Sequence, residues 1–156
     1  MTLKHTLYTD LNSRQREIYN FQKVAAILAD YGFNCIKLAD DWQGADFLAY
    51  RFDGNNTLKV QLKGRLSIEK KYKGKNLFMT FPCKGSWYLV EHDQLVDLVE
   101  QNANWLNTTS WKDRGIYNSA APNKHLLEAL KNYKLEALPY PDSQVLSLVE
   151  TEPPSD

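Results

Sequence analysis

The chain has few cysteines and no long apolar segment. Its only cysteines, Cys35 and Cys83, are too few for a disulfide framework and form no Cys-x-x-Cys pair. No apolar run is long enough to span a membrane, and the N-terminal residues contain no apolar core of a signal peptide. These absences argue against a disulfide-stapled or membrane protein and favour a reducing, cytoplasmic setting.

Most familiar catalytic signatures are also missing. The sequence has no Gly-x-Ser-x-Gly, no glycine-rich phosphate loop, no His-Glu-x-x-His and no EF-hand loop. The three histidines, His5, His92 and His125, are scattered without metal-ligand spacing, so we expect them to be surface or capping residues. Any chemistry must therefore come from other side chains.

The net charge of zero hides an uneven distribution. Residues 1–75 carry 13 basic against 8 acidic residues, and residues 76–156 carry 6 against 11. Within 59–75 a single acid, Glu69, faces a run of basic residues: Lys59, Lys63, Arg65, Lys70, Lys71, Lys73 and Lys75. Such a stripe attracts phosphates within a Debye length of roughly 8–10 Å. A solvated lysine-rich loop is the alternative.

The order of predicted elements indicates one mixed α/β or α+β sheet domain. The predicted helices are 13–31, 92–101 and 122–133, and the predicted strands are 33–38, 46–52, 58–64, 76–81 and 86–91, with a basic segment at 65–76 and an irregular region at 102–121. We expect a single domain over 1–138, with a core at about 13–101 and a helical extension at 102–138. An irregular tail follows at 139–156.

The predicted hairpin carries a polar set on one face. Its turn, Asp-Gly-Asn-Asn at 53–56, contains residues that tolerate positive φ. A turn centred there sets Asp46 near Lys63 and Leu48 near Gln61. Alternation then separates two faces of the second strand: Lys59, Gln61 and Lys63 on one, and Leu58, Val60 and Leu62 on the other.

The first helix adds a carboxylate to this set. Ser13 is the expected N-cap and Gly32 the expected left-handed residue after the helix. The apolar stripe is Phe21, Val24, Ala25, Leu28 and Tyr31. Glu17 falls within that stripe, where a carboxylate is costly unless a partner is present. A solvated first-turn glutamate, stabilised by the helix dipole, is the alternative.

Glu17, Asp46, Gln61 and Lys63 together resemble the PD-(D/E)XK nuclease superfamily. The matching pattern is a helix glutamate, Gly-Ala-Asp at a strand start, and Gln-x-Lys on the next strand. Ala45 stands where that pattern has proline, and Gln61 stands where it has a second acid. The set is closest to that of a small cyanobacterial homing endonuclease of the superfamily, which also has Gln at this position.

The resemblance implies a restriction-endonuclease-like α-β-β-β-α-β core with added C-terminal helices. It also implies a Mg²⁺-dependent endodeoxyribonuclease. Asp46 would ligate the metal, with the Gln61 amide oxygen, the Leu62 carbonyl and Glu17 completing the set. Lys63 would orient or deprotonate the attacking water. The amide at Gln61 removes one negative charge, so we expect weaker metal binding than in acid-rich relatives.

The expected partner is DNA, bound through its phosphate backbone by Arg65, Lys70, Lys71, Lys73 and Lys75. Trp105, Trp111 and Tyr117 would contact bases or sugars, or else belong to the core or a lid. One active site per chain implies a homodimer or homotetramer for double-strand cutting. A homing role fits best, with a restriction, Holliday-junction or defence nuclease as runner-up. A non-catalytic nucleic-acid-binding module is a second hypothesis, and a soluble α/β domain with an unrelated ligand is a third.

Overall fold

The computed structural model describes residues 1–140, so the predicted tail lies outside the described residues from 141 onward. The helices in that range are α1 (Ser13–Asp30), α2 (His92–Asn102) and α3 (Lys124–Ala129). The strands are β1 (Phe33–Trp42), β2 (Ala45–Arg51), β3 (Thr57–Leu62), β4 (Leu66–Glu69), β5 (Phe78–Cys83), β6 (Ser86–Glu91), β7 (Ile116–Ser119) and β8 (Lys134–Leu135). None of the helices in this part of the chain is long and apolar enough to cross a membrane.

Six strands form one mixed sheet in the order β1-β2-β3-β5-β6-β8. The β3–β5 pair is parallel and the other pairs are antiparallel. The predicted mixed α/β class is confirmed. β4 and β7 form a separate two-stranded sheet. The connection from β3 to β5 therefore contains a buried strand and a 3₁₀ turn, Lys70–Tyr72, where an irregular basic segment was expected.

Helix α1 covers one face of the central sheet. Its N-cap is Asn12, and not Ser13 as predicted. The Asn12 side chain accepts from the Gln15 backbone N–H, and the Gln15 side chain accepts from the Asn12 N–H, both at 2.9 Å. Val24 and Leu28 are buried, and they pack with Phe47, Ala49 and Val60 of β2 and β3. This packing fixes the helix across the strands that carry the polar set.

A second apolar cluster fills the opposite side and includes the region after residue 102. Trp105 and Trp111 are only 5% and 6% exposed, and the Tyr117 ring stacks on Trp105 with centroids 4.5 Å apart. These aromatic residues therefore belong to the core, which was the alternative to base contacts. Tyr117 lies in β7, whose pairing with distant β4 gave no local signal in this predicted irregular region.

The β1–β2 connection is tighter than expected. β1 runs on to Trp42, which pairs with Ala45, whereas the predicted strands ended at 38 and began again at 46. Gln43 and Gly44 make the turn with φ of 54° and 86°. A Cβ on Gly44 would lie 3.1 Å from two ring atoms of Tyr72, so both conformation and space require glycine. Asp46 follows directly from this constrained turn.

The β2–β3 hairpin is shifted by two residues from the predicted register. Phe47 pairs with Val60 and Leu48 with Lys59, whereas Leu48 was expected near Gln61. The same register places Asp46 opposite Gln61, two residues before its predicted partner Lys63. A two-residue shift keeps every side chain on its predicted face, because alternation has a period of two.

Two other boundaries differ from the sequence prediction. Pro82 lies inside β5 opposite Trp87, where it was expected to end the strand. β3 stops opposite Thr80, so the missing N–H of Pro82 breaks no bond with β3. The last helix begins after the Asn123 cap and ends at Ala129, and the chain then adds β8 to the edge of the main sheet.

Candidate active site

Asp46 lies at the start of β2, where the sheet, helix α1 and the cleft between them meet. Its Oδ2 accepts hydrogen bonds from Gln61 Nε2 at 2.7 Å and from the Leu62 backbone N–H at 2.8 Å. Gln61 is only 8% exposed. Within residues 1–140 no donor contacts Asp46 Oδ1. One carboxylate oxygen is thus held by the hairpin and the other is available to a ligand.

The groups around Asp46 have opposite effects on the pKa of its carboxyl group. Burial raises the pKa of its carboxyl group, and the Leu62 N–H and the charges of Lys37 and Lys63 lower it. The neighbouring Glu17 raises it again. The net pKa lies above the ordinary value, so the ionised form of Asp46 is destabilised until another cation approaches it.

Glu17 faces the same cleft from α1, and its side chain is 43% exposed. Its Oε1 lies 2.7 Å from Lys37 Nζ, and its Oε2 lies 3.5 Å from Arg14. The hydrogen bond from Lys37 is the main reason that the pKa of Glu17 is lowered. Both features weighed from the sequence are present, since Glu17 is partly solvated and has a partner, Lys37. The cleft has a volume of about 320 Å³ and is lined by Glu17, Lys37 and Asp46, among others.

Lys63 follows the end of β3 and is held by a carboxylate that the sequence did not identify. Its Nζ lies 2.5 Å from Glu69 Oε1, and the other oxygen of Glu69 lies 3.1 Å from Lys71 Nζ. Burial raises the pKa of Glu69, but Lys63 and Lys71 outweigh that effect and the net pKa is lowered. The Tyr72 ring lies beneath both ammonium groups, 5.5 Å from that of Lys63 and 4.9 Å from that of Lys71.

His92, expected at the surface or as a cap, is completely buried. Its Nε2 accepts the backbone N–H of Glu69 at 3.2 Å, and its Nδ1 lies 3.2 Å from Asp93 Oδ1. Burial lowers its pKa, so the neutral ring with a proton on Nδ1 satisfies both contacts. The ring therefore fixes the end of β4 that carries Glu69.

The predicted site residues thus gather around one region. Asp46 and Gln61 are in direct contact, and Leu62 joins them through its backbone N–H. Glu17 lies across the cleft, and Lys63 is near enough to lower the pKa of Asp46. Three functional candidates were not identified from the sequence: Lys37, Glu69 and His92. The one available signal in the sequence was that Glu69 is the only acid within the basic stripe.

The basic residues expected to bind DNA are all exposed: Arg65, Lys70, Lys71, Lys73 and Lys75. Arg65 and Lys63 line a groove of about 400 Å³ that continues from the site along β4 and β7. Lys70 donates to the Lys112 carbonyl at 3.1 Å and lies over the Trp111 ring, so it is anchored to the segment before β7. Of these basic residues, Arg65 therefore lies beside Lys63, next to the site.

The oxygen atoms around Asp46 suit a hard cation better than a transition metal. Among the described residues, no three His, Cys, Asp or Glu side chains cluster closely enough to hold a metal by themselves. The cleft is lined by four carboxylate residues, Glu17, Asp40, Asp41 and Asp46, and the amide of Gln61 contacts Asp46. Mg²⁺ commonly takes one or two carboxylates and keeps several waters, so this donor set fits it.

The protein is thus a mixed α/β domain with an acidic cleft at the start of its central hairpin and with Lys63 in the neighbouring groove. The sequence matches no family model and no curated protein. In structure the chain is similar to Hjc, a Holliday junction resolvase from Archaeoglobus fulgidus, with a TM-score of 0.40, 13% identity, and coverage of 50% of this chain and 73% of the resolvase. It is also similar to the bacterial homing endonuclease I-Ssp6803I, with a TM-score of 0.46, 12% identity, and coverage of 89% of this chain and 93% of that protein.

Proposed function

We propose that the chain is a metal-dependent endonuclease that hydrolyses phosphodiester bonds in DNA. The observation that carries this proposal is the arrangement at Asp46. One oxygen is fixed by Gln61 and Leu62, and the other is left to the cleft, with Glu17 and Lys63 nearby. Phosphodiester hydrolysis requires a positioned water and positive charge around the phosphate, and this region offers ligands and cations for both.

Each residue has a distinct role in this proposal. Asp46 and Glu17 supply the negative charge that retains a cation, and the Gln61 amide and the Leu62 carbonyl supply neutral oxygens. Lys63, as the ammonium paired with Glu69, orients the attacking water and stabilises the charge of the phosphate; to take the proton of the water it would first have to lose its own. A bound Mg²⁺ would supply the Lewis acidity that neutralises charge on the phosphate.

Gln61 must change its contact to act as a ligand. It now turns its NH₂ group toward Asp46, since a carboxylate only accepts hydrogen bonds. To present its oxygen on that side, the amide has to rotate and give up this 2.7 Å bond. Breaking this hydrogen bond costs free energy, and an amide also lacks the negative charge of an acid at this position. Both effects support weak metal binding.

The basic stripe supports DNA as the substrate. Arg65, Lys70, Lys71, Lys73 and Lys75 are exposed, and Arg65 shares a groove with Lys63, so they would bind the phosphate backbone. A homodimer or homotetramer would place two sites on a duplex. The Glu, Asp, Gln, Lys set favours a homing endonuclease over a restriction, Holliday-junction or defence nuclease.

A non-catalytic nucleic-acid-binding module is the second candidate. The contact that favours it is again Gln61 to Asp46, because the amide satisfies the carboxylate without any metal. Such a module would keep the basic stripe and the fold while binding DNA without cutting it.

The test is to incubate the protein with supercoiled plasmid and with branched DNA, with Mg²⁺ and with EDTA. We expect cutting only with Mg²⁺, and loss of cutting in Asp46→Ala and Lys63→Ala. Asp97→Ala and Lys131→Ala, which change an exposed acid and an exposed lysine elsewhere, serve as matched controls and should cut normally. Binding without cutting on both substrates would refute the enzyme and support the module.

A further inference from the structure

Glu69 is a buried carboxylate placed between two lysines. It is only 4% exposed, and its neighbours in β4, from Leu66 to Ile68, are buried as well. Its two oxygens lie 2.5 Å from Lys63 Nζ and 3.1 Å from Lys71 Nζ. A charged side chain is thus kept inside the small sheet and is neutralised by side chains that come from the site and from the basic stripe.

Stability alone does not account for this arrangement. Removing a carboxylate and an ammonium from water costs about as much as their attraction returns, and well-packed apolar replacements are often as stable. An apolar residue at position 69 would extend the cluster formed by Leu66, Ile68 and Tyr72. The charge of Glu69 is therefore better explained by what it does to Lys63.

The backbone around Glu69 is fixed on both sides. Its N–H donates to the buried His92 ring, and the next N–H, that of Lys70, donates to the Gly115 carbonyl at 2.8 Å. Glu69 itself pairs with Ile116 of β7. Its carboxylate therefore starts from a rigid support, whereas Lys63 has a long flexible side chain with many rotamers.

We propose that Glu69 is a positioning residue that holds the Lys63 ammonium in the groove beside the site, in the orientation that phosphodiester hydrolysis needs. This inference rests on the proposed function. Without the carboxylate, Lys63 samples other rotamers, and a displacement of about 1 Å in a reacting group can lower a rate by about 10²-fold. DNA binding does not depend on this contact, since loss of Glu69 removes a negative charge beside Lys71.

The test compares Glu69→Gln with Glu128→Gln, which changes an exposed carboxylate paired with Lys131 at 2.6 Å. Single-turnover cleavage is measured at saturating DNA in Mg²⁺, binding is measured in Ca²⁺, and Tm is recorded for each variant. We expect Glu69→Gln to cut about 10- to 100-fold more slowly, with a Kd unchanged or lower, and Glu128→Gln to match the wild type. A structural role would instead weaken binding and cleavage together with Tm.

In a wild type that cuts DNA, the inference is overturned by an unchanged cleavage rate in Glu69→Gln, or by parallel losses of rate and binding. If that variant does not fold, Glu69→Asp takes its place, because it keeps the buried charge but withdraws the carboxylate from Lys63. The same slow cleavage with normal binding is expected. If the wild type does not cut DNA in Mg²⁺, the proposed function fails and this inference fails with it. Normal cutting by both variants refutes the positioning role alone.

Discussion

Exchanging Gln61 for glutamate should make the protein depend on a metal or a proton for its stability. Gln61 Nε2 and Asp46 Oδ2 are 2.7 Å apart, and Gln61 is 8% exposed. In Gln61→Glu, two carboxylates would face each other at this distance. Two unit charges there repel by about 6 kcal/mol at an effective dielectric constant of about 20. The hydrogen bond is lost as well, and the carboxylates will separate or share a proton to relieve the repulsion.

We expect a net loss of about 2–4 kcal/mol in the free energy of unfolding at pH 8 in EDTA. That corresponds to a fall in Tm of roughly 5–15 °C. The shared proton is bound more tightly in the folded state than in the unfolded state, so the deficit is full at high pH and disappears as the solution is acidified. Mg²⁺ should remove the deficit as well, because it binds the folded site.

The assays are thermal unfolding at pH 5.5 and pH 8, with EDTA or Mg²⁺, and calorimetric titration with Mg²⁺ or Ca²⁺. The added charge should tighten metal binding by about tenfold, or 1.4 kcal/mol, relative to the wild type. Gln22→Glu, which adds the same charge on the exposed face of α1, should leave both measurements unchanged. A Gln61→Glu variant that is as stable as the wild type at pH 8 without metal, and that binds Mg²⁺ no more tightly, would refute this reasoning.

The other predictions concern the carboxylate, the turn and the basic stripe. Asp46→Asn should raise Tm at pH 8 while abolishing metal-dependent cutting. Because burial raises the pKa of Asp46 in the folded state, the gain in Tm should vanish as the pH falls to the pKa of the unfolded state. A variant less stable than the wild type at pH 8 would contradict this. Gly44→Ala should cost about 2–4 kcal/mol in urea unfolding, from positive φ and the 3.1 Å approach to Tyr72. Gly54→Ala has positive φ but open space, so it should cost only about 1 kcal/mol, and equal losses would exclude the contact as a cause. Arg65→Ala should weaken DNA binding and reduce the salt slope of log K by about 1, and an unchanged slope would remove Arg65 from the phosphate contacts.

Local patterns predicted much of the fold and the composition of the site. Alternation assigned Gln61 and Lys59 to one face of β3, and the helical period placed α1 against the sheet. The hairpin register was not predictable in the same way, because it depends on where the loop closes between Arg51 and Asn56, whose N–H and carbonyl bond at 2.8 Å. β4 was missed because its burial depends on β7, which lies far away in the sequence.

The partners of the site residues depend on that same distant packing. Lys37 reaches Glu17 across the interface of β1 and α1, and Glu69 reaches Lys63 only because β4 is held beside the end of β3. The charge pattern showed Glu69 only as a single acid in a basic segment. In the structure, two lysines of that segment contact it. The sequence thus identified the candidate reactive side chains, but it could not identify the side chains that hold them in place.

Glu17, Asp46 and Glu69 each have a partner within the chain, and this would couple metal binding to DNA binding. Glu17 is paired with Lys37, Asp46 with two N–H donors, and Glu69 with Lys63. A phosphate that draws Lys37 toward itself leaves Glu17 without its cation, so the phosphate gains that lysine at the expense of an existing ion pair. A divalent cation beside Glu17 and Asp46 would compensate both carboxylates and release Lys37 for the phosphate. Each ligand should therefore raise the affinity of the other by the same factor, and the site should bind either one weakly when alone.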